Sequence, residues 1–322
     1  MLTFPAGSAF AQTAIVRDER AAYRPYRVSV SRIQELSPSF SRVTFTAEEF
    51  RFFAPHGLDQ RVKLVFPIGG RIADLGVDDP EVVIGGGWYA RWRSLPEKLR
   101  NPFRTYTVRD IRPADEELDI DFVVHGHGLA TDGPAARWLA SAAVGDELVI
   151  VGPDARSLDS AIGIDWHPGT ATELLLAGDE TAAPAICSIL ASLAPGARAR
   201  AFIEVPTAAD AQRIESAADV SVTWIPRGGR GLEHFVRSWA ADTRVYEAAI
   251  AGQRQELADI DVDIDLLWDS PADSPGEFYA WIAGESATVK SLRRFLVSEL
   301  GVDRSRVAFM GYWRLGKSEA QG

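Results

Sequence analysis

Arg104-Thr105-Tyr106-Thr107-Val108-Arg109 packs a guanidinium at either end, an aromatic ring and two threonine hydroxyls into one short stretch. Side chains alternate along a strand, so Tyr106 and Val108 point one way while Thr105, Thr107 and Arg109 point the other. An aromatic face beside a row of donors suits a large, flat, phosphate-bearing cofactor. A flavin dinucleotide needs a ring to stack on, a hydroxyl near its redox-active nitrogen and a guanidinium that grips phosphate. Tyr106, Thr107 and Arg104 can supply these in turn. Taken without context, the same residues also make an ordinary strand with exposed arginines.

Other stretches carry chemistry of their own. Gly133-Pro134-Ala135-Ala136-Arg137-Trp138 reads as a tight turn feeding a helix, with Asp132 as N-cap and Pro134 in the first turn. Free N–H groups at a helix start can bind pyrophosphate, and Trp138 would anchor that helix to the strands before it. His125 and His127 share a face if extended, yet no carboxylate or cysteine stands at metal-ligand spacing, so no metal site is expected. Gly178-Asp179-Glu180-Thr181 and Gly284-Glu285 each end an apolar strand, where either capping or a nucleotide contact is chemically reasonable.

The elements that must position these residues fall into two halves. Period-two alternation marks strands at 26–33 and 42–46, and further strands are expected at 61–66, 104–110, 117–125 and 147–151. Six strands with one short helix suggest a small antiparallel barrel. A long stretch from Pro67 to Phe103, rich in Gly, Trp and Arg, reads as a lip, a substrate wall or a plain surface excursion. Beyond the turn-forming residues 154–171, continuous apolar runs alternate with helical periodicity: strands near 174–177, 201–205, 220–225, 278–283 and 307–310, and a helix carrying Val289, Leu292, Leu296 and Leu300. That alternation means a doubly wound parallel sheet with its ligand at the carboxyl ends of the strands. The expected division is a tail over 1–22, a barrel over 23–153, a linker over 154–171 and an α/β unit over 172–322.

Length and composition agree with two globular units: 322 residues, 46% hydrophobic and 25% charged. A net charge of −11 argues against nucleic-acid partners. Cys187 is the one cysteine, which excludes an internal disulfide and an all-cysteine iron–sulfur cluster within the chain. No apolar run reaches the ~18 residues of a membrane span, and no secretory leader is evident, so a cytoplasmic protein is expected.

In order, the motifs Arg104-x-Tyr106-Thr107-x-Arg109, His125-Gly126 to Trp138, Ala177-Gly178-Asp179-Glu180-Thr181-Ala182-Ala183-Pro184-Ala185-Ile186 and Gly311-Tyr312-Trp313-Arg314-Leu315-Gly316 resemble those of the siderophore-interacting protein family, within the ferredoxin-NADP reductase superfamily. The resemblance spans roughly 25–316. It implies a six-stranded flavin-binding barrel followed by a nicotinamide-binding α/β unit, with Arg104, Tyr106, Thr107, Val108, Arg109, His125, Gly133, Pro134, Ala135 and Trp138 on FAD. Gly178, Asp179, Glu180, Thr181, Gly284, Glu285, Tyr312 and Trp313 then meet the nicotinamide dinucleotide or the flavin's outer side. The implied activity passes electrons from NADPH or NADH through FAD to a ferric siderophore. The redox chemistry is the cofactor's, so no acid–base catalytic residue is nominated. A general NAD(P)H:flavin or oxygenase-partner reductase, or a siderophore-binding flavoprotein without turnover, remain alternatives on the same fold. Glu204, ending the second strand, would read ribose hydroxyls, whereas Arg227 and Arg230 on a Gly-rich loop would clasp a 2′-phosphate; two arginines against one carboxylate lean towards NADPH. The acidic stretch between Trp239 and Gly276 is longer than the family pattern leads one to expect, and a monomer and a dimer are equally compatible with the sequence.

Overall fold

A computed structural model describes residues 15–124, 133–252, 255, 257, 267–272, 274 and 276–316. His125, His127, Asp132, the first 14 residues and most of 253–266 lie outside the described residues.

The first half forms one antiparallel sheet of β1 (Tyr23–Ser37), β2 (Phe40–Thr46), β3 (Arg61–Val65), β4 (Phe103–Thr107), β5 (Asp110–Arg112), β6 (Glu117–Val123) and β7 (Glu147–Pro153), in the order β4-β3-β7-β1-β2-β6-β5. The single strand expected over 104–110 is therefore two. The physical reason is closure. Up to Thr107 the segment pairs with β3 and the Val108 N–H still donates to Gln60 O, but the next residue, Arg109, donates to Asp119 O and β5 then pairs with β6. One segment changes partners at its midpoint, so its two parts form the two end strands of the sheet and tie them together through the chain. Val28, Val43, Phe45, Val62, Leu64, Val108, Ile120 and Phe122 fill the interior. The short helix α3 (Pro134–Leu139) closes one end through Trp138, packed against Phe45, Phe66 and Phe122.

Between β3 and β4 the chain carries two short helices rather than a bare excursion. They are α1 (Pro80–Gly85) and α2 (Trp88–Ser94), and Trp92 of α2 meets Phe103 edge-on over Val65, Val149 and Val151. The aromatic cluster there covers the outer face of the sheet.

The second half is a six-stranded sheet, β10-β9-β8-β12-β13-β11, built of β8 (Glu173–Gly178), β9 (Arg198–Val205), β10 (Asp219–Pro226), β11 (Trp268–Asp269), β12 (Phe278–Glu285) and β13 (Val307–Trp313). All pairs are parallel except β11 with β13. The edge strand β11 was not foreseen, because two residues carry no periodicity. Leu174 and Leu176 face one core while Leu175 and Ala177 face another, which explains the unbroken apolar run: both faces are covered. Helix α4 (Ala183–Ser192) lies on the first face, and α5 (Leu232–Asp242) and α6 (Ser286–Arg293) on the second. The strand order reverses between β8 and β12, and in such sheets ligands meet the carboxyl ends of the strands at that point.

Candidate functional site

Cross-strand register sorts the residues of β4. Tyr106 stands opposite Val62 and Arg104 opposite Leu64, whereas Thr105 stands opposite Lys63 and Thr107 opposite Arg61. The Tyr106 ring centroid lies 4.6 Å from that of Phe122, which in turn lies 5.7 Å from Trp138. This aromatic row brings Tyr106 and the Gly133–Ala135 turn, which the sequence separates, to the same part of the barrel. Gly133 is extended and supplies the N-cap position of α3 without a side-chain bond, so the first-turn N–H groups have no intrahelical partners. Val108, by contrast, is fully buried in the barrel core.

Arg109 is not brought together with Arg104 and Tyr106. Its Nε lies 3.6 Å from Asp121 Oδ2, and Asp121 is gripped at both oxygens by Arg42 at 2.7 and 2.9 Å. Ser188 of α4 donates to the Arg109 carbonyl at 3.1 Å, so Arg109 sits under the second sheet's helix at the joint between the two halves.

Thr107 is buried. Its cross-strand neighbour Arg61 places a guanidinium 4.3 Å from the Trp268 ring centroid and 2.8 Å from Asp165. Trp268 stacks on Tyr312 at 5.8 Å. Arg61 and Trp268 thus connect the flavin-type strand to the end of β13. Neither was singled out from sequence: Arg61 looked like one more strand arginine, and Trp268 only becomes adjacent once β11 pairs with β13.

At the carboxyl edge, Asp179 binds three strand ends together. Its Oδ2 accepts from the Glu285 N–H and from Trp313 Nε1, both at 2.7 Å, while Oδ1 accepts from the Thr181 N–H and hydroxyl at 2.9 and 2.5 Å. A carboxylate offers about four such positions, so Asp179 organises these strand ends and has little left for a ligand. Gly284 takes φ +139, and a Cβ there would lie 2.5 Å from the Asp179 carboxylate. A Cβ at Gly178 would lie 2.6 Å from that of Ala182. Both glycines are demanded by close packing. Glu285 caps α6, accepting from the Ala287 and Thr288 N–H groups at 2.8 and 3.0 Å.

Glu180 is buried, and burial, reinforced by the neighbouring Asp179 charge, pushes its carboxyl upward. Arg227 donates to it and also lies 3.4 Å from Glu204, whose other oxygen accepts the Leu232 N–H at 3.0 Å. The sequence suggested an arginine free to reach. The structure holds Arg227 between two carboxylates, because the β8, β9 and β10 ends lie side by side. Arg230 remains exposed beside His234.

Two buried aspartates join the halves. Asp210 accepts from Ser37, Ser39 and the Ser39 N–H of the barrel, and from Thr207 beside it. Asp59 accepts from the Asp165 and Trp166 N–H groups and from Trp281 Nε1. Burial, with Asp165 close by, pushes Asp59 up to about 6. Asp210 escaped notice in sequence for want of a motif, and so did Asp59.

The donor set fits a flavin dinucleotide. Arg104 and Tyr106 share one face of β4, with Tyr106 joined to α3 through Phe122 and Trp138, while Thr107 lies on the other face opposite Arg61, whose guanidinium meets Trp268 of the second sheet. Among the described residues no cluster of His, Cys, Asp or Glu could hold a metal ion, and no helix is long and apolar enough to cross a membrane.

Residues 29–157 match the model of the siderophore-interacting FAD-binding domain, and residues 171–316 that of the siderophore-interacting protein. The chain is 34% identical over 296 residues to an uncharacterized protein of Mycobacterium tuberculosis, covering 89% of each. It is 28% identical over 299 residues to the ferric vibriobactin reductase ViuB of Vibrio cholerae, covering 92% of this chain and 91% of that one. The solved siderophore-interacting protein SipS of Aeromonas hydrophila superposes with a TM-score of 0.62 at 27% identity, covering 92% of this chain and 93% of that one.

Proposed function

The chain belongs to the siderophore-interacting protein family, and from that membership we propose that it reduces ferric siderophores with electrons drawn from NADPH or NADH through bound FAD. The observation that carries the reading is the joint itself. Strand β4 meets the second sheet through Arg61, which stands opposite Thr107 and lies over Trp268, itself stacked on Tyr312 at the end of β13.

In this reading the barrel unit, 23–153, holds the flavin and the α/β unit, 172–322, receives the nicotinamide dinucleotide, with 154–171 between them. Arg104 binds pyrophosphate together with the Gly133–Ala135 turn, Tyr106 gives the aromatic face, and Thr107 presents a hydroxyl towards the joint. When bound, FAD converts a two-electron hydride donor into single-electron equivalents. Gly178 and Gly284 let the strand ends pack closely about Asp179, which keeps Trp313 and the Glu285 backbone in place where the dinucleotide approaches. One NAD(P)H carries two electrons and therefore serves two Fe(III) centres. The ferric chelate is substrate, and its reduction favours release because hard oxygen ligands hold Fe(II) weakly. The setting we propose is the cytoplasm, where such a chelate would be met after import.

Purified protein should show the two-band flavin spectrum and bleach on anaerobic addition of NADPH or NADH. Colourless protein that gains no such spectrum on incubation with FAD overturns the proposal.

A further inference from the structure

Three guanidiniums converge on one buried carboxylate where β1 begins and β7 ends. Asp154 is fully buried, and Arg156 grips both its oxygens at 2.9 and 2.6 Å. Arg20 Nη1 lies 3.9 Å and Arg24 Nη1 4.0 Å from the same oxygen, Oδ2. Arg20 has a second carboxylate, Asp18, which it holds at 2.7 and 2.6 Å. Arg24 has none. It is 5% exposed, its Nε is buried without a hydrogen-bond partner, and Asp154 is the one carboxylate within 4.0 Å of it among the described residues. We infer that this cluster binds a small oxyanion, a phosphate or a carboxylate, between Arg24 and Arg20.

Charge argues for it. A guanidinium taken out of water is costly unless its N–H groups are bonded. The Tyr26 ring, whose centroid lies 4.4 Å from Arg24 Cζ, gives a cation–π contact but accepts nothing from the N–H edge in the guanidinium plane. Three guanidiniums face two carboxylates, Asp154 and the half-exposed Asp18, and this local positive excess stands in a chain of net charge −11. Glu48, across the Phe52 ring on which Arg51 and Arg156 both lie, is taken up by Arg51. A planar guanidinium fork matches the oxygens of phosphate or carboxylate. Two Nη1 atoms each within 4.0 Å of one oxygen stand close enough to share an anion.

The arginines are placed before any ligand arrives. Asp154 N–H donates to Ala22 O at 2.8 Å, Asp18 N–H to Arg156 O at 2.8 Å, and Leu158 N–H to Asp18 O at 3.0 Å. Ser157 Oγ donates to Arg20 O at 2.8 Å, and Arg24 stands opposite Gly152 in the β1–β7 ladder. Preorganisation of this kind lowers the cost of binding. So little of Arg24 reaches the surface that the ligand is small, and a nucleotide or a metal chelate is excluded by size. Strands β7 and β3 stand between β1 and β4, so the cluster is separate from Arg104 and Tyr106.

The test is thermal melting of the purified protein in excess FAD, with rising inorganic phosphate or acetate against sodium chloride at equal ionic strength. Wild type, Arg24→Gln, Arg20→Gln and, as a control on an exposed arginine elsewhere, Arg230→Gln are compared. The inference expects a saturable rise in Tm over chloride in wild type and Arg230→Gln, with the apparent anion affinity weakened about tenfold or more in Arg24→Gln and in Arg20→Gln. A larger rise with phosphate assigns a phosphate, and a larger rise with acetate a carboxylate. No rise over chloride with either anion in wild type overturns the site, and so does a rise undiminished in Arg24→Gln. If Arg24→Gln does not fold, Arg20→Gln decides, and an undiminished rise there overturns it.

Discussion

Trp313 Nε1 and the Glu285 N–H donate to one oxygen of Asp179, each at 2.7 Å. The ends of β8, β12 and β13 are thereby tied at a single carboxylate, at the reversal point of the sheet, and Gly284 has no Cβ because Asp179 occupies that space. Asp179→Ala leaves these donors unpaired in a nearly closed site. Charge-assisted bonds of this type contribute about 1.5–3 kcal/mol each and do not add fully. The variant should lose about 3 kcal/mol in a denaturant titration and raise the KM for the nicotinamide donor, with FAD affinity little changed. Unaltered stability would show that Asp179 does not bind the edge together.

Arg104→Ala should weaken FAD about ten- to a hundredfold, the equivalent of ~1.5–3 kcal/mol for one charge-assisted phosphate contact. Thermal melting of the flavin-free forms should coincide, since Arg104 is only partly buried. Equal FAD affinity in mutant and wild type would mean that this arginine is no ligand.

Asp59 gives a pH signature. Its folded value, about 6, lies above the ordinary 3.8. Between these values the folded protein binds more protons than the unfolded chain, so the stability contributed by this group is full below about pH 4 and falls as pH rises through 6. The shift corresponds to about 3 kcal/mol. Asp59→Asn removes that titration, and the difference in unfolding free energy between wild type and variant should decline from pH 4 to 7. A difference independent of pH would contradict the assignment.

Donor choice follows from Arg227. Held by Glu180 and Glu204, it offers a 2′-phosphate less than a free guanidinium would, so kcat/KM for NADPH and NADH should lie within about tenfold of each other. Glu204→Gln keeps an acceptor for the Leu232 N–H and removes one negative charge, and it should shift the ratio towards NADPH by up to about tenfold. A strong preference in the wild type that Glu204→Gln leaves unmoved would place the discriminating contact elsewhere.

The two-layer pattern of the fold could be read from periodicity because each half repeats one rule: alternating strands in the barrel, continuous strands under helices in the second sheet. Closure of the barrel could not. Nothing in Val108-Arg109 marks a change of hydrogen-bonding partner, and the corner exists only because Gln60 and Asp119 arrive from segments far away. The places of Tyr106, Trp138 and Gly178 in their elements were legible, a ring on a strand, an anchor on a helix and a glycine at a strand end, because each has a local signature. Arg61, Trp268, Asp59 and Asp210 act through partners distant in sequence, and the pairing of Arg227 was hidden for the same reason: Glu180 and Glu204 are its neighbours only after β8, β9 and β10 pair.

The central claim is electron transfer from a nicotinamide to chelated iron through this flavin. The measurement that tests it most directly is anaerobic: FAD-loaded protein is bleached with one equivalent of NADPH or NADH, a ferric catecholate chelate is added, and flavin colour is followed together with Fe(II) captured by a ferrous-specific chelator. The account predicts that colour returns as about two Fe(II) form per nicotinamide consumed, the ratio set by single-electron delivery from a two-electron donor. Flavin that stays oxidised with the nicotinamide, or that recolours with no Fe(II) formed, would contradict it.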